Sequence, residues 1–427
     1  MTVIAEKPQP GHILPPLIKG GLRGHSPLIF KGGLRGVMAP GFKAAGISCN
    51  IKKTGAKDLA IILSATPAYC AGMFTRNRVK AAPVLIDMER VKSGRSMGIL
   101  VNSGNANACT GKAGFKAALD VASFFEKRLG LKKGELLIAS TGVIGVPLPV
   151  DKIQSGAERL IKGLSPQGLG MAAEAIMTTD AFSKSSAMKA DIGGKTVTVA
   201  GIAKGAGMIC PDMATMLAFF MTDANIKGPA LKAALRESVD KTFNSIMVDN
   251  DTSTNDTVLV LANGLSKGPE IKKHGPHYRA FTGLLTDTAK RLARMIIEDG
   301  EGATKFIEIN VRGAANDKEA KAGARAVGQS MLVKCAFFGA DPNWGRILCA
   351  IGKSGVRLRE DKADILLNNV QVVRNGLDTG REKQAAKALK TKNVRVEVDL
   401  GAGSGVALLW TTDLSYEYVK INSAYRT

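Results

Sequence analysis

The chain has 427 residues, 45% of them hydrophobic, enough to bury one large two-lobed core or two to three ordinary ones. Lysine and arginine number 59 against 37 acidic residues, so 59 − 37 = +22, yet the basic residues are scattered rather than gathered into a nucleic-acid-binding arm. Aromatic residues at 5% argue against a stacking platform for single-stranded nucleic acid, and no apolar run approaches the roughly 18 residues of a membrane span.

Residues 1–36 hold a near-repeat, Pro16–Gly24 and then Pro27–Gly36. Two copies are too few for a solenoid, and the Gly and Pro content predicts a flexible extension. No signal-peptide core interrupts this stretch, so the expected compartment is the cytoplasm. The six cysteines, Cys49, Cys70, Cys109, Cys210, Cys335 and Cys349, form no C-x-x-C pair and read as reduced thiols.

Globular sequence starts near Val37. Residues 58–64 and 97–102 read as buried strands, and Phe115, Leu119, Ala122, Phe125 and Leu129 place a helix over 114–129 with Gly130 as its stop. A short strand follows at 136–139. Leu231, Leu235, Val239, Phe243 and Ile246 mark a second helix with Pro229 near its start. Phe281, Leu285, Leu292, Met295 and Ile296 mark a third, ending near Gly300. Strand-like stretches lie at 195–202, 217–221, 257–261, 306–311, 395–399 and 406–410. This mixture predicts an α/β or α+β class, and 48 glycines, above the usual ~7%, fit a chain with many tight turns.

Histidine is scarce. His12 and His25 lie in the extension, and His274 and His277 sit in a His-Gly-Pro-His loop that forms no helical metal face. No metal is expected, and a histidine-based triad has almost nothing to use. No P-loop occurs; Lys204-Gly-Ala-Gly207 is a weak phosphate-loop signal. Asn102–Gly111 has the small-residue texture of a turn packed against a site, and equally that of a structural turn.

The most informative stretch is Gly201–Ala224, where a Gly/Pro loop runs into an apolar strand with Thr215 at the junction after small Ala214. An isolated threonine there would ordinarily be a β-branched residue opening a strand. The chemical alternative is self-cleavage. A threonine hydroxyl that attacks the preceding carbonyl gives an N→O acyl shift, and hydrolysis then frees an N-terminal threonine. Its α-amine, with a pKa of roughly 7.7–8.0, serves as the missing base.

The segment resembles the self-cleavage motif K-G-x-G-M-I-x-P-x-M-A-T-M-L of the glutamate N-acetyltransferase/ornithine acetyltransferase family of arginine biosynthesis, and the likeness extends over roughly 37–427. Other matching stretches are Gly41–Gly46, Thr75–Pro83, Asn102–Gly111, Ser140–Gly145, Ala175–Asp180, Asp251–Thr257, Asp299–Lys305, Gly339–Arg346 and Asn422–Thr427. The resemblance implies an α/β fold of the self-processing, N-terminal-nucleophile-like type shared with DmpA-type aminopeptidases. It implies cleavage between Ala214 and Thr215 into fragments 37–214 (behind the 1–36 extension) and 215–427, assembled as an α2β2 heterotetramer. Thr215 is then the acetylated nucleophile and Thr141 and Gly142 form the oxyanion hole. Thr178, Lys204, Glu301, Asn422 and Thr427 bind substrate together with Thr215; a cation and an acid are apt for an amino acid. The reaction implied is ping-pong, from N-acetylornithine to glutamate, with no metal or organic cofactor. Acetyl-CoA enters as a co-substrate only if the enzyme also makes N-acetylglutamate de novo. Cys210 and Asp212 fall at variable positions of the motif. Ala181 stands where many relatives carry a polar residue and Asn250 where many carry Gly, which bears on fine positioning.

Two rivals compete with this reading. A self-processing amidase or aminopeptidase would use water as acceptor, and a non-catalytic polyanion-binding protein would bind nucleic acid with steep salt dependence. Deleting residues 1–36 is expected to leave acetyl transfer and self-cleavage nearly unchanged, as measured by activity and by intact mass; a truncated protein that stays uncut would contradict the assignment of this stretch as an accessory extension.

Overall fold

The computed structural model describes residues 37–210 and 216–424; the extension 1–36, Ala214, Thr215 and Thr427 lie outside the described residues. Eight of the described strands form one sheet: β1 (Phe42–Ile47), β2 (Leu59–Phe74), β3 (Arg95–Asn105), β4 (Leu136–Val143), β5 (Lys184–Asp191), β6 (Thr196–Lys204), β7 (Leu217–Thr222) and β8 (Thr257–Ala262). Their order is β4-β3-β2-β8-β7-β6-β5, with β1 pairing beside β2. β3 runs parallel to β4 and β7 parallel to β8; the remaining pairs are antiparallel. The 16-residue β2 joins two halves of the sheet. Its first part pairs with β1, and past a register irregularity between Leu63 and Ala68 its last part pairs with β8, from Tyr69 opposite Ala262 to Phe74 opposite Thr257.

Every residue of β7 and β8 is buried, as expected of central strands covered on both faces. In β8, Val258 and Val260 share a core with α6 (Gly228–Asp240) and α7 (Tyr278–Glu298), whereas Leu259 and Leu261 pack in the layer that holds α5 (Leu169–Ala175). Around β1–β4, α1 (Ala82–Arg90), α2 (Gly111–Arg128), α3 (Val150–Ser155) and α4 (Ala157–Lys162) close a further core about Phe125, Ile138 and Leu160. α2 ends in a Schellman turn: Gly130 has φ +69° and the Leu131 N–H donates to Glu126 O at 2.8 Å.

The second sheet contains β9 (Phe306–Ala314), β10 (Asp364–Leu367), β11 (Val370–Arg374), β12 (Leu377–Asp378), β13 (Asn393–Asp399) and β14 (Gly405–Thr412), in the order β12-β11-β10-β13-β9-β14. It packs on α8 (Asp317–Gln329), α9 (Met331–Phe338), α10 (Trp344–Gly352) and α11 (Glu382–Ala388). After β14 the chain enters α12 (Tyr416–Ala424), which returns to the segment linking α7 and β9.

The α/β class and the predicted strands and helices are all present. One helix is shorter than its periodicity implies. α6 stops at Asp240, and Phe243 and Ile246 reach the core from a 3₁₀ turn at Phe243–Ser245 and the extended residue after it. Ser238 and Thr242 hydroxyls bond back to the carbonyls of Ala234 and Ser238, a pattern that favours the end of a helix. All six cysteines are free. Among the described residues, no helix is long and apolar enough to cross a membrane.

α7 sits close against β6 because Gly201 has no side chain; a Cβ there would lie 2.8 Å from Phe220 Cδ1 and 3.1 Å from Leu292 Cδ1. Leu292→Ala removes a fully buried side chain from this contact. It is expected to lower stability by about 2–5 kcal/mol in denaturant unfolding, and a loss below about 0.5 kcal/mol would contradict the packing.

Candidate active site

The ends of β4 and β6, the segments before β5 and β8, and the turn after α7 meet around a cavity of about 230 Å³. Thr141, Gly142, Thr178, Lys204, Glu301 and Asn422 all line it. Ala214, Thr215 and Thr427 lie outside the described residues. The chain is described again from Met216, whose N–H donates to Asp256 Oδ1 at 3.0 Å, just ahead of β7.

Thr141 and Gly142 occupy the last turn of the β3–β4 ladder, where the register becomes irregular. Gly142 has φ +132°, and a Cβ would lie 2.4 Å from the Gly104 carbonyl carbon and 2.5 Å from the Asn105 nitrogen. Only glycine lets the two backbones approach this closely. The Thr141 Oγ1 accepts a hydrogen bond from Lys204 Nζ at 3.1 Å. A hydroxyl that accepts from an ammonium keeps its own proton for donation, which suits it to a developing oxyanion.

Lys204 ends β6 and is buried. Burial lowers its pKa below the usual lysine value, against the opposing pull of Asp180, Asp256 and Glu301. Asp180 accepts from the Thr178 N–H at 2.8 Å, the Gly205 N–H at 2.7 Å and Lys184 Nζ at 2.7 Å. Burial would raise Asp180, but the ammonium groups of Lys184 and Lys204 outweigh it and hold the carboxyl at about 2, below the ordinary 3.8. The stability this ionised group contributes is therefore present above the ordinary carboxylate value and is lost as pH falls toward 2. Lys184 also bonds Asp299, which accepts the Ala181 N–H at 3.1 Å. Burial, with the Asp180 carboxylate nearby, raises the pKa of Asp299 above the usual value, against the pull of the Lys184 ammonium and the Ala181 N–H.

Glu301 follows α7, and its N–H donates to Ala206 O at 2.9 Å. Its carboxylate fills the place a side chain at residue 207 would need: a Cβ on Gly207 would lie 2.4 Å from Glu301 Oε2. Asn422 Nδ2 donates to the same oxygen at 2.8 Å, so Asn422 orients Glu301. α12 is docked here by the Ser415 hydroxyl, which donates to Gly302 O at 2.5 Å. Asp249, raised by burial, accepts from the Met208 N–H at 2.7 Å and from the Tyr418 hydroxyl at 3.2 Å.

A cation beside a hydroxyl donor, with a carboxylate across the cavity, suits a small substrate that carries both a carboxylate and an amine. Sequence reasoning assigned no role to Asp180, Lys184, Asp249, Asn255, Asp299 or Tyr418. Four of these lay in or beside stretches already singled out, as acids and an amide in short polar runs next to strands; nothing in the local pattern distinguishes Lys184 or Tyr418. Ala181 contributes a backbone N–H, so a small side chain serves there. Asn250 Oδ1 accepts from Gln329 Nε2 at 2.7 Å, a tie that glycine could not make.

The ArgJ family model matches residues 43–427. The arginine biosynthesis bifunctional protein ArgJ of Symbiobacterium thermophilum is 50% identical over 396 residues, 92% of this chain and 98% of that protein. Its namesake in Geobacter sulfurreducens is 48% identical over 389 residues, 91% of this chain and 99% of that one. Among solved structures, the ArgJ protein of Bacillus halodurans is 44% identical with a TM-score of 0.47, covering 48% of this chain and 98% of that one. With a family model over nearly all of its length and relatives at about half identity, the chain belongs to the ArgJ family, the bifunctional acetyltransferases of arginine biosynthesis.

Proposed function

We propose that the chain moves acetyl from N-acetylornithine to glutamate through an ester on Thr215, after cutting its own backbone between Ala214 and Thr215. The observation that carries this reading is the convergence of Thr141, Gly142, Thr178, Lys204, Glu301 and Asn422 on one cavity. These residues come from both sides of the scissile bond. Thr427 completes the proposed substrate-binding set.

In the cleavage step, Thr215 Oγ attacks the Ala214 carbonyl carbon, the Ala214–Thr215 C–N bond breaks to give an ester, and water hydrolyses it. The freed α-amine then takes the hydroxyl proton in each later attack. Fragments 37–214 and 215–427 have strong reason to stay together. β7 and β8 of the second fragment lie between β2 and β6 of the first, paired on both sides. We extend this to an α2β2 assembly of two cleaved chains.

In the transfer step, Thr215 Oγ attacks the acetyl carbonyl of N-acetylornithine and the amide C–N bond breaks, with ornithine leaving as the protonated amine. The α-amine of glutamate then attacks the acetyl ester, releasing N-acetylglutamate and restoring the hydroxyl. The negative oxygen of each tetrahedral intermediate lies at the Thr141 hydroxyl and Gly142, where a preorganised donor is worth the most. Lys204 attracts the substrate carboxylate and Glu301, oriented by Asn422, its amine. No metal or organic cofactor takes part. The relatives are named bifunctional, which favours a second activity in which acetyl-CoA replaces N-acetylornithine as donor. We assign the reaction to the cytoplasm, in keeping with six cysteines that are all free thiols.

An intact-mass spectrum tests the reading. The purified protein is expected as two fragments, the second beginning Thr-Met-Leu-Ala-Phe and gaining one acetyl group after incubation with N-acetylornithine. Thr215→Val keeps the branched shape and removes the hydroxyl, so it is expected to stay uncut and inactive; a valine variant cut at the same bond overturns the mechanism.

Lys204→Ala and Glu301→Ala are each expected to reduce kcat/KM for N-acetylornithine by about tenfold to a hundredfold, the worth of roughly 1.5–3 kcal/mol for a lost charged hydrogen bond. Gly207→Ala is expected to act in the same direction by displacing the Glu301 carboxylate. Wild-type kcat/KM in the Lys204 or Glu301 variant would remove that residue from the site.

A further inference from the structure

The polar run Asp251–Thr257 takes no part in the chemistry above, yet Asp251, Ser253, Thr254 and Asn255 line the cavity. Asn255 is buried, and its Nδ2 donates to two carbonyls at once, Ala106 O at 2.7 Å and Ser140 O at 2.8 Å. Its Oδ1 accepts from the Thr254 hydroxyl at 2.5 Å, which fixes the amide's orientation. The Ser140 carbonyl shares a planar peptide unit with the Thr141 N–H, so holding the one orients the other. The next residue, Asp256, is fully buried and accepts the Met216 N–H at 3.0 Å on Oδ1. That N–H shares its peptide unit with the Thr215 carbonyl.

Consecutive side chains thus grip the peptide unit that leads into Thr141 and the one that leads out of Thr215. The gripping segment is itself anchored. Ser253 O accepts from the Thr75 hydroxyl at 2.8 Å, Thr254 O from the Ala81 N–H at 2.9 Å, and Asp256 O from the Thr75 N–H at 2.9 Å. The Thr257 N–H donates to Met216 O at 3.1 Å. Ser140 is also held from its other side, by its hydroxyl bond to Asn102 Oδ1 at 2.6 Å.

We infer that Asn255 and Asp256 are positioning residues that set the spacing between the oxyanion element at Thr141–Gly142 and the backbone at Met216, the residue next in the chain after Thr215. The inference rests on the reading that these two elements carry the acetyl transfer. Asn255 acts as a double donor to carbonyls and Asp256 as an acceptor of one backbone N–H; neither touches the acetyl group. Substrate contact falls to Lys204 and Glu301, and Asp256 bears on it only through the charge it places near Lys204.

The test measures kcat and KM for N-acetylornithine per cleaved chain, counted by intact mass, together with hydrogen–deuterium exchange at the amides of Thr141 and Met216. Asn255→Asp keeps the shape and turns a carboxylate toward two carbonyls. It is expected to lower kcat by about tenfold to a hundredfold with KM within about twofold, and to speed exchange at Thr141. Asp256→Ala is expected to lower kcat similarly and to speed exchange at Met216, and Asp256→Asn, which still offers an acceptor oxygen, to restore most of that loss. Wild-type kcat in Asn255→Asp, a loss expressed in KM alone, or an Asp256→Asn variant as impaired as Asp256→Ala overturns the inference. If Asn255→Asp does not fold, the Asp256 pair decides by the same criteria. A wild-type protein that is never acetylated refutes the acetyl-transfer reading instead, and the exchange at Thr141 and Met216 still reports whether the grip exists.

Discussion

The Lys184 ammonium, fully buried between Asp180 and Asp299, is the interaction on which the cavity depends. An ammonium withdrawn from water costs several kcal/mol unless it is closely paired, and removing one partner of a buried pair costs roughly 3–5 kcal/mol because the other charge is stranded. Here the two carboxylates do more than neutralise the lysine. Asp180 holds the N–H groups of Thr178 and Gly205, and Asp299 holds that of Ala181. One ion cluster therefore ties together the start of β5, the turn after β6, the loop carrying Thr178 and the end of α7. Glu301 lies two residues beyond that end, so its place is set by the same cluster.

Within that frame, close approach is obtained by leaving side chains out. Gly142 lets β3 and β4 touch where a Cβ would strike backbone, and Gly207 leaves the volume that the Glu301 carboxylate occupies. Lys204 meets the Thr141 hydroxyl beside Gly142. Lys204 and Thr141 are buried, and there a charge or dipole acts more strongly than it would at the surface, while one held in place needs no reorganisation when charge develops. Burial also lowers the pKa of Lys204, while Asp180, Asp256 and Glu301 favour its charged form. The acids around it are thus part of what makes a cation usable at this depth.

The sheet order gives the proposed cleavage a mechanical context. The two strands of this sheet that follow residue 215, β8 and β7, are set between strands that precede it, β2 on one side and β6 on the other. Breaking one peptide bond ahead of β7 would leave both ladders and both packed layers intact. The second sheet and its helices lie wholly after that bond, and their contribution to the site is α12, which brings Tyr418 and Asn422 back over the cavity.

How much of this was legible in the sequence follows from the range over which each feature is determined. Apolar periodicity located α2, α6 and α7 and the central strands β7 and β8, because a strand or helix buries a face according to residues within a few positions of one another. It overran at Phe243 and Ile246, which serve the same core from a turn, since burial is what periodicity reports and a turn beside a helix end can supply it. The scarcity of histidine, with a threonine between a Gly/Pro loop and an apolar strand, pointed to a nucleophile that brings its own amine. Short side chains in polar runs marked Thr141, Thr178 and Glu301 through their resemblance to one family. What the sequence by itself did not determine is which of these groups touch. Lys204 meets Thr141 across 63 residues, and Asn422 meets Glu301 across 121. Lys184, in a strand of ordinary appearance, is paired with an aspartate 115 residues away. Such meetings are decided only when β7 and β8 insert into the first sheet and α12 closes over it, because a buried charge finds its partner through the packing of whole layers and not through the residues beside it in the chain.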